Sequence, residues 1–299
     1  MKVLVSGSTG FIGSALLRDL AGEGHVVTRL VRRSPGEKGD GVPWNPSAAT
    51  VDPGGLEGHD AVVHLAGENL ADSSWSPEKK ARIRTSRVEG TRMLCGSLAR
   101  LKHPPGVLVC ASAVGYYGDR GREILREDSP PGKGFLADVC REWEEAALGG
   151  ARQGIRVVVL RIGMVLGPEG GALAKMLPAF RAGAGGRIGS GKQYVSWITL
   201  RDLVGVIRYA MSSGSMEGPV NAVTPHPVTN REFAAILGRV LGRPTFLSLP
   251  AFAARALFGQ MADELLLAGA CVEPAKLLAS GYPFLLPDLE GALRVLLGK

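Results

Sequence analysis

Met1-Lys2-Val3-Leu4-Val5-Ser6-Gly7-Ser8-Thr9-Gly10-Phe11-Ile12-Gly13 reads as a short apolar strand running into glycines at i, i+3 and i+6, with a helical pattern behind them. A pyrophosphate needs close backbone approach and free N–H groups at a helix N-terminus, and glycines allow both the tight turn and the approach. The stretch therefore reads as a dinucleotide site, with Gly7, Thr9, Gly10, Phe11, Ile12 and Gly13 around the phosphates. Ser8 stands where the commoner G-x-G-x-x-G spacing would place its second glycine. The competing reading is an ordinary glycine-rich turn.

The second strand narrows the choice of cofactor. Ala15, Leu16, Leu17 and Leu20 give the first helix its apolar positions, and Val26 to Val31 form the strand after it. An NAD-preferring site places an acidic residue near the end of that strand, roughly 20 residues after the fingerprint, to accept the ribose 2′-OH. Arg32 and Arg33 occupy the place instead. A guanidinium fork suits a 2′-phosphate, so the expected cofactor is NADP(H); the alternative is two solvated arginines at a strand end.

Beyond a Pro/Gly-rich segment over 34–55, the run Ala61 to Gly67 reads as a buried parallel strand. Its end, Leu65-Ala66-Gly67-Glu68, falls at the carboxyl edge of the sheet, where open α/β folds bind ligands. A long helix from Pro77 to about Leu101 carries Arg87, a candidate cofactor contact or else a solvated helix arginine. Further strands over 106–111 and 157–163 and a helix over 135–148 continue the alternation to about residue 165. That alternation predicts an α/β fold, a doubly wound parallel sheet, with residues 1–165 as the cofactor domain. Residues 166–299 are expected to form a smaller substrate-side lobe that includes C-terminal helices over 249–299.

Composition agrees with a single α/β enzyme: 299 residues, 45% of them hydrophobic, with 42 glycines. Lysines and arginines number 35 against 28 acidic residues, a net charge of +7. The basic residues are dispersed, so the excess suits an anionic small molecule and does not imply nucleic acid. Cys95, Cys110, Cys140 and Cys271 lack metal-ligand spacing and read as buried thiols, with no metal site. The apolar stretch from Leu247 to Val272 is broken by Arg255, Asp263 and Glu264, so a membrane partner is not expected. The first strand begins at once, without a signal segment, and the expected location is cytoplasmic. Oligomeric state is left open.

The ordered set of Gly7 to Gly13, Leu65 to Asn69, Ser86-Arg87, Ser112 to Gly118, Trp143-Glu144, Val165 to Gly167, Gly170 to Ala172 and Trp197-Ile198 resembles the "epimerase family protein" group. This is an atypical branch of the short-chain dehydrogenase/reductase superfamily, with its own C-terminal domain resembled here from about Leu249 to Leu297. The resemblance implies a Rossmann domain binding NADP(H) and a lobe like that of nucleotide-sugar epimerases and reductases. It leaves the reaction and the small-molecule substrate unassigned, because the chain departs from the superfamily at its Tyr-x-x-x-Lys pair. The corresponding helix offers only Phe135/Val139 or Leu136/Cys140, and none of these side chains can transfer a proton or bind ribose as that pair does.

Ser112 matches the superfamily's catalytic Ser/Thr position, or is simply a small residue at a strand end. Tyr116 and Tyr117 bring phenols to the same edge as replacement acid/base groups. Gln193 and Trp197 are candidate substrate contacts, with a plain core role open for Trp197. Two functional classes stand: an NADP(H)-dependent oxidoreductase or epimerase with a rearranged proton donor, and a cofactor-binding module without turnover.

Overall fold

Apolar runs covered by helices on both sides become the strands of one twisted sheet. The computed structural model describes residues 1–33, 40–46, 48, 50–149 and 154–299. Among them the sheet takes β1 (Lys2–Ser6), β2 (Val26–Arg32), β3 (Val42–Asn45), β4 (Thr50–Val51), β5 (Ala61–His64) and β6 (Val107–Ala113). After the short β7 (Ile124–Leu125), β8 (Arg156–Ile162) joins the same sheet. The small strands β9 (Met164–Gly167), β10 (Gly186–Ile188), β11 (Tyr194–Val195) and β12 (Trp197–Thr199) lie outside it, and β13 (Gly218–Ala222) returns to its edge. The order is β13-β8-β6-β5-β1-β2-β3-β4, parallel throughout except for β4. Chain order reverses at β1 and β5, which opens a crevice beyond their carboxyl ends. Val3, Leu4 and Val5 of the central strand are wholly buried.

Helices α1 (Phe11–Gly22), α2 (Pro77–Leu98) and α3 (Phe135–Leu148) cover the sheet, and α5 (Leu200–Ser212) packs beside α1 after α4 (Gly171–Arg181) has entered the lobe. Ser76 caps α2 by accepting from the Lys79 amide, with Pro77 in the first turn where its missing N–H costs nothing. The remaining elements are β14 (Val228–Thr229), α6 (Asn230–Leu241), β15 (Leu247–Leu249), α7 (Ala251–Phe258), β16 (Cys271–Val272), α8 (Ala275–Ala279) and α9 (Leu289–Leu297). Between α7 and β16, residues Ala262–Leu267 form one π-helical turn.

Two boundaries differ from the sequence reading. Residue 165 does not separate the domains in space, because β13 pairs with β8 and completes the large sheet. Long-range pairing decides this; local periodicity carries no trace of it. Within the stretch read as a Pro/Gly-rich connection, part of which lies outside the described residues, residues 42–45 pair with β2 and 50–51 fold back on them. The lobe has its own core of Leu173, Leu177, Phe180, Trp197, Phe233, Leu237, Leu289 and Leu293.

Candidate functional site

The turn after β1 is built by close approach. Gly7 has φ +67°, and a Cβ there would press on the backbone of Leu65 and Ala66 at 2.7–2.8 Å. A Cβ on Gly13 would overlap the Gly7 carbonyl oxygen. These two glycines let α1 and the β5 loop pack against the turn. Gly10 differs: it caps α1 at φ −77°, a conformation open to any residue, and it is exposed. Its lack of a side chain keeps the helix N-terminus bare. No side chain caps α1, and no acidic residue occupies its first turn. The first amides of a helix have no intrahelical partner, so those of Phe11, Ile12 and Gly13 suit an anion. The Phe11 ring turns away and packs over Gly167, Gly170 and Gly171, each of whose added Cβ would meet it. Thr9 is exposed at the tip.

The two arginines at the end of β2 part company. Arg33 donates through Nη2 to the carbonyls of Asp40 (3.2 Å) and Gly41 (2.7 Å), holding the return of the chain. Arg32 is exposed, and its side chain makes no hydrogen bond or ion pair among the described residues.

Beyond β5 a buried polar chain sets the loop. The Ser6 hydroxyl oxygen accepts from the amides of Leu65 (3.1 Å) and Ala66 (3.3 Å) and lies 2.7 Å from His64 Nδ1. With its acceptor capacity taken, Ser6 gives its proton to Nδ1, so His64 Nε2 carries the hydrogen that reaches Thr91 Oγ1 at 3.0 Å. Trp143 Nε1 donates to the same oxygen at 2.8 Å. Burial drives the His64 pKa down to about 4, which keeps the ring neutral. Sequence reading missed this chain of bonds. The available signal was a histidine inside an apolar strand, since such a group must be paired.

Arg87 and Glu68 take different parts. Arg87 Nη1 donates to the Glu68 carbonyl at 3.0 Å, and its guanidinium lies 5.2 Å from the Trp143 ring and against Gly67. No carboxylate pairs with it among the described residues. The Glu68 carboxylate is bound to Lys79 (2.8 Å) and Arg82 (3.3 Å), and the Lys79 hydrogen bond pulls it below the usual carboxylate range. Lys79, itself buried, also bonds Asp72 at 2.5 Å. The Glu68 carboxylate is thus committed to the loop.

The Ser112 edge is occupied by an interior network. Ser112 and Arg161 are register partners on β6 and β8, and Glu144 of α3 bonds both. Ser112 Oγ donates to Glu144 at 2.7 Å, and Arg161 clasps the same carboxylate through two bonds of 2.9 and 2.8 Å. Tyr117 is wholly buried; its hydroxyl accepts from Arg161 at 2.9 Å and lies 2.7 Å from Asn221 Oδ1. Burial pushes its pKa up to about 12. Ser112 and Tyr117 thus spend their hydroxyls inside the protein. Tyr116 is partly exposed, its ring stacked 3.6 Å from the Arg161 guanidinium; burial raises its pKa above the ordinary phenol value, against the pull of Arg161.

Gln193 and Trp197 serve the lobe. Gln193 Nε2 donates to the carbonyls of Ile188 (3.0 Å) and Leu266 (2.8 Å), and Trp197 is wholly buried with Nε1 on the His226 carbonyl. Trp197 therefore cannot touch a substrate. The helix that lacks the tyrosine is capped from afar: both Glu264 oxygens accept from its first amides, Phe135 N at 3.1 Å and Leu136 N at 2.7 Å. Cys140, one turn on, is buried, and burial pushes its thiol pKa up to about 12. No group of His, Cys, Asp and Glu that could hold a metal occurs among the described residues, and no described helix is long and apolar enough to cross a membrane.

The chain as a whole is similar to known proteins. The profile of the NAD dependent epimerase/dehydratase family matches residues 3–222, and that of a domain of unknown function, DUF1731, matches residues 249–296. Epimerase family protein MT2273 of Mycobacterium tuberculosis is 44% identical over 284 residues, spanning 94% of this chain and 93% of its own. Human epimerase family protein SDR39U1 is 41% identical over 298 residues, 98% and 99% of the two chains. A crystal structure of the human protein with NADPH matches at a TM-score of 0.91 and 37% identity, covering 100% of both chains. UDP-glucose 4-epimerase of Thermotoga maritima, solved with UDP-glucose, matches at 0.76 and 20% identity over 100% and 98% of the chains, a likeness of fold alone.

Proposed function

The chain belongs to the NAD dependent epimerase/dehydratase family, and on that premise we propose that it binds NADP(H) and catalyses hydride exchange with a carbonyl-bearing small molecule. Arg32 carries the reading: an exposed guanidinium without a partner among the described residues ends β2 beside the bare N-terminus of α1. The residues present fit the cofactor, since Gly7 and Gly13 let the turn pack backbone to backbone and α1 offers amides free of any side-chain cap. Arg32 would hold the 2′-phosphate, the amides after Gly10 the pyrophosphate, and Leu65 to Gly67 the wall beside it, with Arg87 adding positive charge at the edge. NADP(H), when bound, supplies the hydride. Tyr116 is the acid/base group of this reading, because its phenol stays proton-loaded at neutral pH and its ring is not sealed in the core.

Incubating the protein with NADPH and a panel of aldehydes, ketones and nucleotide sugars tests the catalytic part. Oxidation of NADPH that Tyr116→Phe lowers by about a hundredfold, with NADPH affinity unchanged, is the expected result. A second reading, a cofactor-binding module without turnover, draws on the commitment of Ser112, Tyr117 and Glu144 to interior bonds. Tight NADPH binding with no oxidation across the panel would favour it.

A further inference from the structure

A cleft of about 240 Å³ is lined by Arg187, Arg231, Ala234, Ala235, Thr245 and Phe246. Arg187 lies in β10 and Arg231 in the first turn of α6. Their Cβ atoms stand 3.2 and 3.1 Å from where a Cβ on Gly191 would be, so the two long cationic side chains start on either side of Gly191. Neither makes an ion pair or side-chain hydrogen bond among the described residues. The neighbouring carboxylate is no remedy, because Glu232 closes the capping box of α6 on Thr229. Phe246 stands at the cleft with 89% of its surface exposed, although a ring of that size normally gains from burial. Two arginines lining one cleft beside an exposed aromatic ring call for a ligand that is anionic at one end and planar at the other.

We infer that this cleft is a second small-molecule site, separate from the dinucleotide crevice, which takes a compact phosphate monoester bearing a planar ring. The arginines clamp the phosphate, Phe246 stacks on the ring, and Thr245 lies beside them. The cleft is too small for a whole dinucleotide, which separates it from the NADP(H) reading.

Calorimetric titration of the full chain, first saturated with NADPH, with phenyl phosphate, inorganic phosphate and benzyl alcohol tests the inference. Saturable phenyl phosphate binding is expected, with inorganic phosphate weaker and benzyl alcohol weaker still. Arg187→Gln and Arg231→Gln should each weaken phenyl phosphate by about tenfold or more, while Phe246→Ala should weaken phenyl phosphate and leave inorganic phosphate unaffected. All three changes line the open cleft, and NADPH affinity measured on the same variants should not move. The inference is overturned if phenyl phosphate does not saturate, if it binds only when NADPH is absent, or if both arginine variants bind it like the parent protein.

Discussion

At the level of single residues, the structure separates side chains that a sequence treats as pairs. Arg32 and Arg33 are adjacent and identical, yet Arg33 is spent on two backbone carbonyls while the Arg32 side chain is exposed with no partner among the described residues. Arg32→Ala should therefore cut the preference for NADPH over NADH by roughly tenfold to a hundredfold, a charge-assisted contact being worth about 1.5–3 kcal/mol. Arg33→Ala should leave the preference largely in place; parallel NADPH and NADH titrations of both variants check this. Gly10 and Gly13 form a second such pair. Gly10→Val should fold, since φ −77° suits valine, and lose cofactor by blocking the helix N-terminus. Gly13→Ala should lower the melting temperature as well, because its Cβ has no room beside the Gly7 carbonyl.

At the level of elements, bonds between strands and helices tie the carboxyl edge together and make its stability pH-dependent. His64 ties β1, β5 and α2 together as a neutral ring, with its pKa lowered from 6.5 to about 4. Between those values the unfolded chain takes up a proton that the folded chain refuses. Stability from this group is complete above about pH 6.5 and falls as the pH drops toward 4, by about 3 kcal/mol in all. Denaturant melts of the parent and His64→Gln at pH 7.5 and 4.5 should show a smaller loss in the variant. On the neighbouring helix, Glu264 satisfies the first amides of α3 in place of a local cap. Glu264→Ala should cost about 1 kcal/mol, read as a shift of the urea midpoint with unchanged slope.

For the molecule as a whole, the clasp of Ser112, Glu144, Arg161 and Tyr117 links β6, β8 and α3, and Asn221 extends it to β13 and the Glu273 carbonyl. Removing one charge leaves the other buried alone, so Glu144→Ala should destabilise by about 3–5 kcal/mol. The double change Glu144→Leu with Arg161→Met should recover part of that loss, and equilibrium unfolding of the double variant beside Glu144→Leu and Arg161→Met alone measures the coupling. Much of the architecture is legible in the chain. The apolar strand runs, the glycine turn and the start and end of α3 need only local pattern, and that pattern leads to a parallel sheet with a nucleotide crevice. The site is legible only in outline: an arginine at the end of β2 can be read from spacing, but which of several hydroxyls is free cannot. Ser112, Tyr116 and Tyr117 look alike in sequence, and only packing shows that two of them point into a network while Tyr116 stays near the surface. Local sequence suffices for the strands and the phosphate turn, because these depend on neighbours a few residues away, and the departure from Tyr-x-x-x-Lys follows from the family resemblance. The partners of His64, Glu144 and Glu264, the return of β13 to the sheet and the burial of Trp197 come from the folded chain alone, because each rests on contacts between residues far apart in sequence, which no local pattern records.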